Sequence, residues 1–214
     1  MPIIQEISQF MQKGQTKQVK ALVQQALDEG YDPKEILNDG LLEGMMIIGP
    51  KFKKNEIFVP EVLVAARAMN AGMTILEPKL AETGAEPVGK VVIGTVKGDL
   101  HDIGKNLVAM MFKSVGFEVY DIGVDAEAQA FIDKAEEVDA DVICISALLT
   151  TTISKMEECI KLMKEKGVRD KYIVMVGGAP VNNRFARQIG ADYYTPDATT
   201  AAEVAINATI KGKE

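Results

Sequence analysis

A chain of 214 residues, of which 47% are hydrophobic and 26% are charged, has enough apolar material for real cores, which excludes a disordered protein. Its net charge of -7 at pH 7 excludes a surface built to bind nucleic-acid phosphates, because such a surface needs clustered lysine and arginine. The length suits one large domain or two smaller ones, since domains cluster near ~100 to 150 residues.

The sequence shows no sign of an export signal or of a membrane span. The N-terminus, Met1-Pro2-Ile3-Ile4, lacks a basic segment followed by an apolar run, and no stretch reaches the ~18 apolar residues of a membrane span. We therefore expect a soluble, cytoplasmic protein. The two cysteines, Cys144 and Cys159, lack the spacing of a metal site, and we expect buried thiols without a disulfide.

From residue 3 to about residue 78, the sequence has the apolar spacing of amphipathic helices. In the second of them, the apolar residues fall at i, i+3, i+4 and i+7, which places them on one face, and these residues are Val19, Leu22, Val23 and Ala26. Four such segments with short connections predict a small helical bundle.

Capping residues predict where two of these helices begin and end. Asp32 can cap a helix, and Pro33 suits its first position. Gly49-Pro50 is predicted to end that helix, and another is predicted from Val59 to about Leu76.

Residues 82–89 lose this spacing and gather turn formers, which predicts a linker and a natural hinge. In the second predicted domain, 90–214, short apolar runs alternate with helical patterns. This alternation is typical of βαβ units and predicts a Rossmann-like, five-stranded parallel sheet. The predicted strands are Val91–Val96, Phe117–Ile122, Asp141–Ser146, Tyr172–Gly177 and Asp192–Tyr194.

The turn after the first predicted strand contains His101, the only histidine in the chain. Asp99 stands two residues before it, and Gly104 stands three residues after it. Imidazole binds metals, a nearby carboxylate fixes its tautomer, and a glycine lets a ligand approach the backbone. The pattern therefore predicts that His101 is an axial metal ligand.

Two further loops reach the same edge of the predicted sheet, where open parallel sheets bind ligands. Ser146-Ala147-Leu148 and Thr150-Thr151-Thr152 follow the third strand, and Gly177-Gly178-Ala179 follows the fourth. Each pattern has a structural alternative, since hydroxyls often cap helices, paired glycines often form turns and a lone histidine often lies at a surface. Their coincidence at one edge favours a binding site.

Other ligand-binding and catalytic motifs fit these residues less well. Gly98 to Gly104 is one residue too long for a phosphate-binding P-loop, and Asn106 stands where Ser or Thr is needed. No GxGxxG follows the first strand, and Ser146 replaces the aspartate of a receiver domain. A Ser146 nucleophile would lack the GxSxG elbow.

The residues that remain resemble the cobalamin-binding methyl-carrier (corrinoid) proteins and the matching module of cobalamin-dependent methionine synthase. The family motifs DxHxxG, SxL and GG match Asp99–Gly104, Ser146–Leu148 and Gly177–Gly178. The helical half agrees with the family's cap domain in Leu42–Met45, Ile48-Gly49, Phe52 and Phe58–Leu63. The resemblance covers nearly the whole chain and implies a helical cap domain at 1–85, followed by a flavodoxin-like cobalamin-binding domain at 90–214.

The resemblance also implies a site. His101 would be the lower axial ligand of cobalt, in place of the cofactor's own base, with Asp99 as its hydrogen-bond partner. A hydroxyl of Ser146 or Thr152 would extend this relay, and Phe58 would shield the reactive methyl–cobalt bond from water. The other implied contacts with the cofactor and its tail are Gly98, Leu100, Asp102, Ile103, Gly104, Leu148, Thr150, Gly177, Gly178 and Ala198.

The implied function is that of a non-catalytic carrier subunit, which shuttles a methyl group on cobalamin cobalt between two methyltransferases. The first would be specific for methanol, a methylamine, a betaine or a methoxylated aromatic, and the second would act on tetrahydrofolate or a thiol. A reductive activase is a further implied partner. Such a carrier contacts each enzyme transiently, and the linker would let the cap move.

Two related functions remain as alternatives. A cobalamin-sensing regulator resembles this chain but carries a DNA-binding helix-turn-helix, for which residues 1–30 are too short. A mutase-type cobalamin-binding subunit shares DxHxxG but lacks the helical cap, and the segment from Leu42 to Met69 argues against it.

Overall fold

The computed structural model describes residues 2–82 and 87–211, so residues 83–86 of the predicted linker lie outside the described part. The chain forms two compact units. The first contains the described residues up to 82 together with Ser114–Gly116, and the second contains the remaining described residues. Across these residues, no helix has the length and apolar character needed to cross a bilayer.

The first unit is helical, as predicted. Its third segment runs without a break from an α-helical start through a π-helical stretch into a second α-helix, so the unit has four long helical segments. The elements are α1 (Ile3–Gln12), α2 (Thr16–Asp28), α3 (Pro33–Glu35), a π-helix (Ile36–Leu42), α4 (Glu43–Lys53) and α5 (Val59–Glu82).

The predicted start of the third segment is confirmed. Oδ1 of Asp32 accepts a hydrogen bond from the Lys34 N–H at 2.8 Å, and Pro33 is the first helical residue. This bond satisfies one of the N–H groups that the first turn of a helix leaves unpaired.

The predicted end of that segment at Gly49-Pro50 is wrong, because α4 continues to Lys53. A proline removes only its own N–H, and its carbonyl still accepts a hydrogen bond from the Lys54 N–H at 3.1 Å. The helix ends where Asn55 adopts a left-handed φ of 56°, a common conformation just past a helix terminus.

The last helix of this unit also runs further than predicted, past Leu76 to Glu82, with Pro78 inside it. Its packing depends on Gly72, where a Cβ would lie 3.0 Å from Leu41 Cδ1 and 3.2 Å from Val19 Cγ1. The absence of a side chain therefore lets α5 approach its neighbours closely. Core residues of this unit that are fully buried include Ile7, Met11, Val19, Val23, Ala26, Ile36, Leu41 and Leu76.

The second unit is an α/β fold with a five-stranded parallel sheet in the order β2-β1-β3-β4-β5, the flavodoxin-like order. All the strands that the sequence predicts are present within a few residues of their predicted bounds. They are β1 (Lys90–Thr95), β2 (Glu118–Asp121), β3 (Val142–Ser146), β4 (Ile173–Gly177) and β5 (Tyr193–Tyr194).

Helices connect the strands of this unit and cover the sheet. A buried apolar cluster joins Val92, Ile143 and Val174 of the sheet to Phe131 and Met156 of two helices. The helices are α6 (Ile103–Ser114), α7 (Ala128–Val138), α8 (Ser154–Glu165), α9 (Asn183–Ile189) and α10 (Ala198–Lys211), with a 3-10 turn at Arg169–Lys171.

Candidate functional site

The carboxyl ends of three central strands lie side by side in the α/β unit. Thr95 of β1 is in register with Ser146 of β3, and Ser146 is in register with Gly177 of β4. The loops that follow these residues therefore meet at one edge of the sheet, as the sequence predicts.

His101 lies in the turn between β1 and α6. Its Nδ1 is 2.7 Å from Oδ1 of Asp99, and its backbone N–H donates to the same oxygen at 3.1 Å. Because an ionised carboxylate can only accept a hydrogen bond, the neutral ring carries its proton on Nδ1 and its lone pair on Nε2. The side chain is 49% exposed, and no group in the described ranges forms a hydrogen bond with Nε2. This nitrogen is free to bind a metal.

Asp99 is fully buried, and both of its carboxylate oxygens are occupied. Oδ2 accepts hydrogen bonds from the N–H groups of Leu148 at 2.8 Å and Leu149 at 3.2 Å, and from the Thr152 hydroxyl at 2.7 Å. Burial by itself would raise the pKa of Asp99, but the bonds from Leu148, Thr152 and His101 outweigh it and hold this pKa well below its usual value. The carboxylate is therefore ionised at neutral pH and accepts a hydrogen bond from His101.

The structure distinguishes the two hydroxyls that the sequence offers for this relay. Thr152, which is 7% exposed, donates to Asp99. Ser146 is half-buried at the end of β3, and within the described residues its hydroxyl forms no hydrogen bond with Asp99. The His101–Asp99–Thr152 contacts form one connected network.

Sequence reasoning missed two residues that support the same turn. The Thr95 hydroxyl donates to the His101 carbonyl at 2.9 Å, and Oδ1 of Asp125 accepts from the Gly98 N–H at 2.8 Å. This bond from Gly98, with the Lys97 ammonium, holds the pKa of Asp125 below its usual value. A polar residue ending an apolar strand could have drawn attention to Thr95. Asp125 gave no such signal, since it lies beyond β2.

The glycines of the predicted site have different surroundings. Gly98 has a left-handed φ of 80°, and a Cβ at Gly104 would meet nothing within 4 Å. A Cβ at Gly177 would meet only the Thr195 carbonyl oxygen, at 3.6 Å, whereas one at Gly178 would overlap the Ala147 carbonyl oxygen. Gly178 is thus required by the fold, while Gly104 and Gly177 leave space beside the backbone.

Large apolar side chains are exposed in the His101 turn, at the start of α6 and in the loop after β3. Leu100 is 72% exposed, Ile103 is 76% exposed, and Leu148 and Leu149 are 42% and 40% exposed. Leucine and isoleucine exposed together around a functional turn are typical of a ligand-binding surface.

Within the described residues, the other predicted site residues form no hydrogen bond with the side chains of this network. Asp102 is exposed and accepts a hydrogen bond from the Asn106 side chain at 3.1 Å, and Thr150 is exposed in the loop after β3. Ala198 is 5% exposed at the start of α10. Phe58 belongs to the helical unit, where it precedes α5 and is 61% exposed.

A buried lysine lies in the first turn of α6. Lys105 of α6 has a side chain that is only 2% exposed, and its ammonium is paired with Asp121 at the end of β2. It also donates to Asn106 Oδ1 at 2.7 Å. This pair ties the first turn of α6 to the neighbouring strand.

Comparison with protein families and known proteins follows the same division of the chain. Models of the B12 binding domain match residues 3–77 and residues 89–205. A corrinoid protein of Desulfitobacterium hafniense is 44% identical over 96% of both chains. The dimethylamine corrinoid protein of Methanosarcina barkeri is 45% identical over 93% of both chains.

A solved structure resembles the whole fold. It is a chain of the methanol:cobalamin methyltransferase complex from Methanosarcina barkeri, with a TM-score of 0.87 and 28% identity. The match covers 97% of the present chain and 80% of the other. With its flavodoxin-like α/β unit and its histidine turn, the present chain belongs to the B12-binding corrinoid proteins, and the group that it binds is cobalamin or a related corrinoid with its cobalt.

Proposed function

We propose that this chain is the methyl-carrier subunit of a corrinoid-dependent methyltransferase system, with His101 as the lower axial ligand of cobalt. One observation carries the proposal. Nδ1 of His101 is held 2.7 Å from a buried, ionised Asp99, while no described residue forms a hydrogen bond with Nε2 and the ring is half-exposed. A metal-binding imidazole needs this combination, because a partner at one nitrogen fixes the tautomer that leaves the other nitrogen to the metal.

The described residues fit a corrinoid. Its macrocycle is largely apolar, and the exposed side chains of Leu100, Ile103 and Leu148 supply apolar surface beside the imidazole. The open space beside the backbone at Gly104 and Gly177 leaves room for an extended group such as the nucleotide tail. We propose Gly98, Asp102, Thr150, Gly178 and Ala198 as further contacts.

The bound corrinoid supplies a cobalt ion that accepts and releases a methyl group. The chain's own residues hold and orient it. Asp99 Oδ1 keeps the proton on His101 Nδ1, and Thr152 keeps the Asp99 carboxylate in place through its other oxygen. These contacts hold the ring in one orientation, so that Nε2 would be in place to bind the cobalt ion without reorganisation of the side chain.

We propose domains at 1–85 and 90–214. The two B12-binding models, which match residues 3–77 and 89–205, support this division. Phe58, exposed in the helical unit, is proposed to keep water from the reactive group. Since both cysteines are free and buried, we also propose that the protein acts in the reducing cytoplasm.

The proposed partners are a donor-specific methyltransferase, an acceptor methyltransferase that acts on tetrahydrofolate or a thiol, and a reductive activase. Relatives named as dimethylamine corrinoid proteins, and the likeness to a chain of a methanol:cobalamin methyltransferase complex, support a methylamine or methanol donor. Betaine and methoxylated aromatics complete the set of donors to test.

The first experiment compares the absorption spectra of the wild type and His101→Ala after reconstitution with hydroxocobalamin. A histidine-coordinated spectrum that is lost in His101→Ala supports the proposed ligand. Lys161→Ala is the control, because it removes a side chain that is 74% exposed on α8 and that the proposed site does not use. Identical spectra for the wild type and His101→Ala would overturn the assignment of the ligand.

A further inference from the structure

We infer that Thr95 is a positioning residue, whose hydroxyl holds the His101 peptide so that Nε2 stays directed at the metal. Oγ1 of Thr95 donates to the His101 carbonyl oxygen at 2.9 Å, across the turn that carries the ligand. The inference rests on the proposed function, in which His101 is the ligand of cobalt.

Both backbone groups of Thr95 form hydrogen bonds with the segment that follows β2. Its N–H donates to the Gly123 carbonyl at 3.0 Å, and its carbonyl accepts from the Ala126 N–H at 2.9 Å. The residue is 0% exposed, so the side chain cannot turn to solvent. Thr95 is therefore a rigid point from which the hydroxyl reaches the turn.

The Thr95 hydroxyl binds the one polar backbone group of His101 that Asp99 does not bind. The backbone N–H and the ring Nδ1 of His101 are both bound to Asp99, which fixes the N-terminal side of the residue and the plane of the ring. The bond from Thr95 fixes the carbonyl, on the C-terminal side. With both peptide groups held, the Cα–Cβ bond of His101 has one direction, and Nε2 has one position.

The strand itself gives no reason for a hydroxyl at this position. Valine has nearly the same shape as threonine and suits a buried strand, while a buried hydroxyl is costly unless it is hydrogen-bonded. Within the described residues, the partner of the Thr95 hydroxyl is the His101 carbonyl. The role of a hydroxyl at residue 95 is therefore to hold the turn that contains His101.

The test uses two pairs of variants that each differ by one hydroxyl. Wild type is compared with Thr95→Val, which keeps the β-branched shape, and Thr95→Ser is compared with Thr95→Ala. Thr209→Val is the matched control, since it removes a hydroxyl that is also buried, at 3% exposure, but that lacks a hydrogen-bond partner in the described residues. Should Thr95→Val fail to fold, the Ser and Ala pair still isolates the hydroxyl.

Each full-length protein is loaded with hydroxocobalamin and reduced to cobalt(II). The protein is labelled with nitrogen-15 histidine, which labels His101 alone. In the electron paramagnetic resonance spectrum a coordinated nitrogen-15 splits each cobalt line into two, whereas the nitrogen-14 of the cofactor's own base splits it into three. Only the twofold nitrogen splitting is scored, and it gives the histidine-coordinated fraction. The dissociation constant for hydroxocobalamin is measured in parallel. In the variants without a hydroxyl we expect the ratio of coordinated to uncoordinated cofactor to fall about fivefold, the factor that one neutral hydrogen bond supplies. Thr95→Ser and Thr209→Val should keep the nitrogen splitting of the wild type.

The outcomes separate this inference from the proposed function. If the wild type shows nitrogen splitting that His101→Ala abolishes, and both hydroxyl-free variants keep the wild-type ratio, the role of Thr95 is wrong and the ligand assignment stands. Loss of coordination in Thr95→Ser as well would also overturn the inference, because the methyl group would then be the part that matters. If the wild type itself shows no nitrogen splitting, the proposed ligand fails and the inference fails with it.

Discussion

Thr152 lies 53 residues beyond Asp99 in the chain, yet its hydroxyl donates to Oδ2 of that buried carboxylate at 2.7 Å. The contact is made across the loops that follow β1 and β3 and joins them behind His101. The Thr152 hydroxyl also lies 3.0 Å from the Leu149 carbonyl oxygen within its own loop, at a longer distance than its contact with Asp99.

Thr152→Val removes a hydrogen bond to a buried charge, so we expect the free energy of unfolding to fall by about 2 kcal/mol. The histidine-coordinated fraction of bound cobalamin should fall with it, because Asp99 loses a contact that holds it in place. Urea denaturation and absorption spectroscopy measure the two effects. Ser146→Ala is the control, and we expect little change in either quantity. The reverse result, with the larger effect from Ser146→Ala, would show that the relay ends at Ser146.

Gly104→Ala tests whether a cofactor approaches the backbone at the start of α6. The apoprotein should be unaffected or slightly more stable, because a Cβ there meets nothing within 4 Å and alanine suits a helix better than glycine. If a bound corrinoid fills that space, the dissociation constant should rise about tenfold, the effect of a methyl group inserted into a packed contact. Isothermal titration calorimetry with hydroxocobalamin measures this change.

Gly178→Ala is the structural counterpart of that variant. Its Cβ would overlap the Ala147 carbonyl oxygen, and its φ of 135° is strained for any residue with a side chain. We expect a loss of at least about 2 kcal/mol in the free energy of unfolding of the apoprotein. A stable Gly178→Ala apoprotein would contradict the close packing of this turn, whatever its affinity for cobalamin.

Asp121→Asn tests the buried pair with Lys105. It leaves an ammonium that is 2% exposed without its carboxylate, and we expect the free energy of unfolding to fall by about 2 kcal/mol. Adding Lys105→Met to this variant should recover part of the loss, because no unpaired charge remains. Glu137→Gln, which breaks an exposed pair with Lys134, should cost less than about 1 kcal/mol. A double variant less stable than Asp121→Asn would show that Lys105 stabilises the fold by other contacts.

Cys159 makes stability depend on pH in the alkaline range. Burial raises the pKa of its thiol to about 12, whereas an unfolded thiol titrates near ~8.5. Above ~8.5 the unfolded state releases a proton that the folded state keeps, so stability falls as pH rises, by about 1.4 kcal/mol per unit. Urea denaturation at pH 7.5 and 9.5 should show a smaller decrease for Cys159→Ala than for the wild type. Equal decreases in the two proteins would contradict this prediction.

Local signals in the sequence predicted most of the fold. Apolar runs bounded by turn residues located every strand of the parallel sheet, and Asp32 with Pro33 located a helix start. The wrong helix end at Gly49-Pro50 has a physical cause. A proline near a helix terminus removes one hydrogen bond, and the packing of the helix decides whether the loss matters.

By itself, the sequence determined the helical and α/β halves, the parallel sheet and a histidine turn with Asp99 two residues before His101, because spacing along the chain carries each of these features. Only the tertiary structure decided that Thr152 reaches Asp99, that Thr95 holds the His101 carbonyl and that Asp125 binds the Gly98 N–H. Two of these contacts join segments far apart in sequence, and the third closes a turn whose conformation no spacing rule fixes. Each depends on strand order and on the direction of a buried side chain, which are properties of the packed molecule.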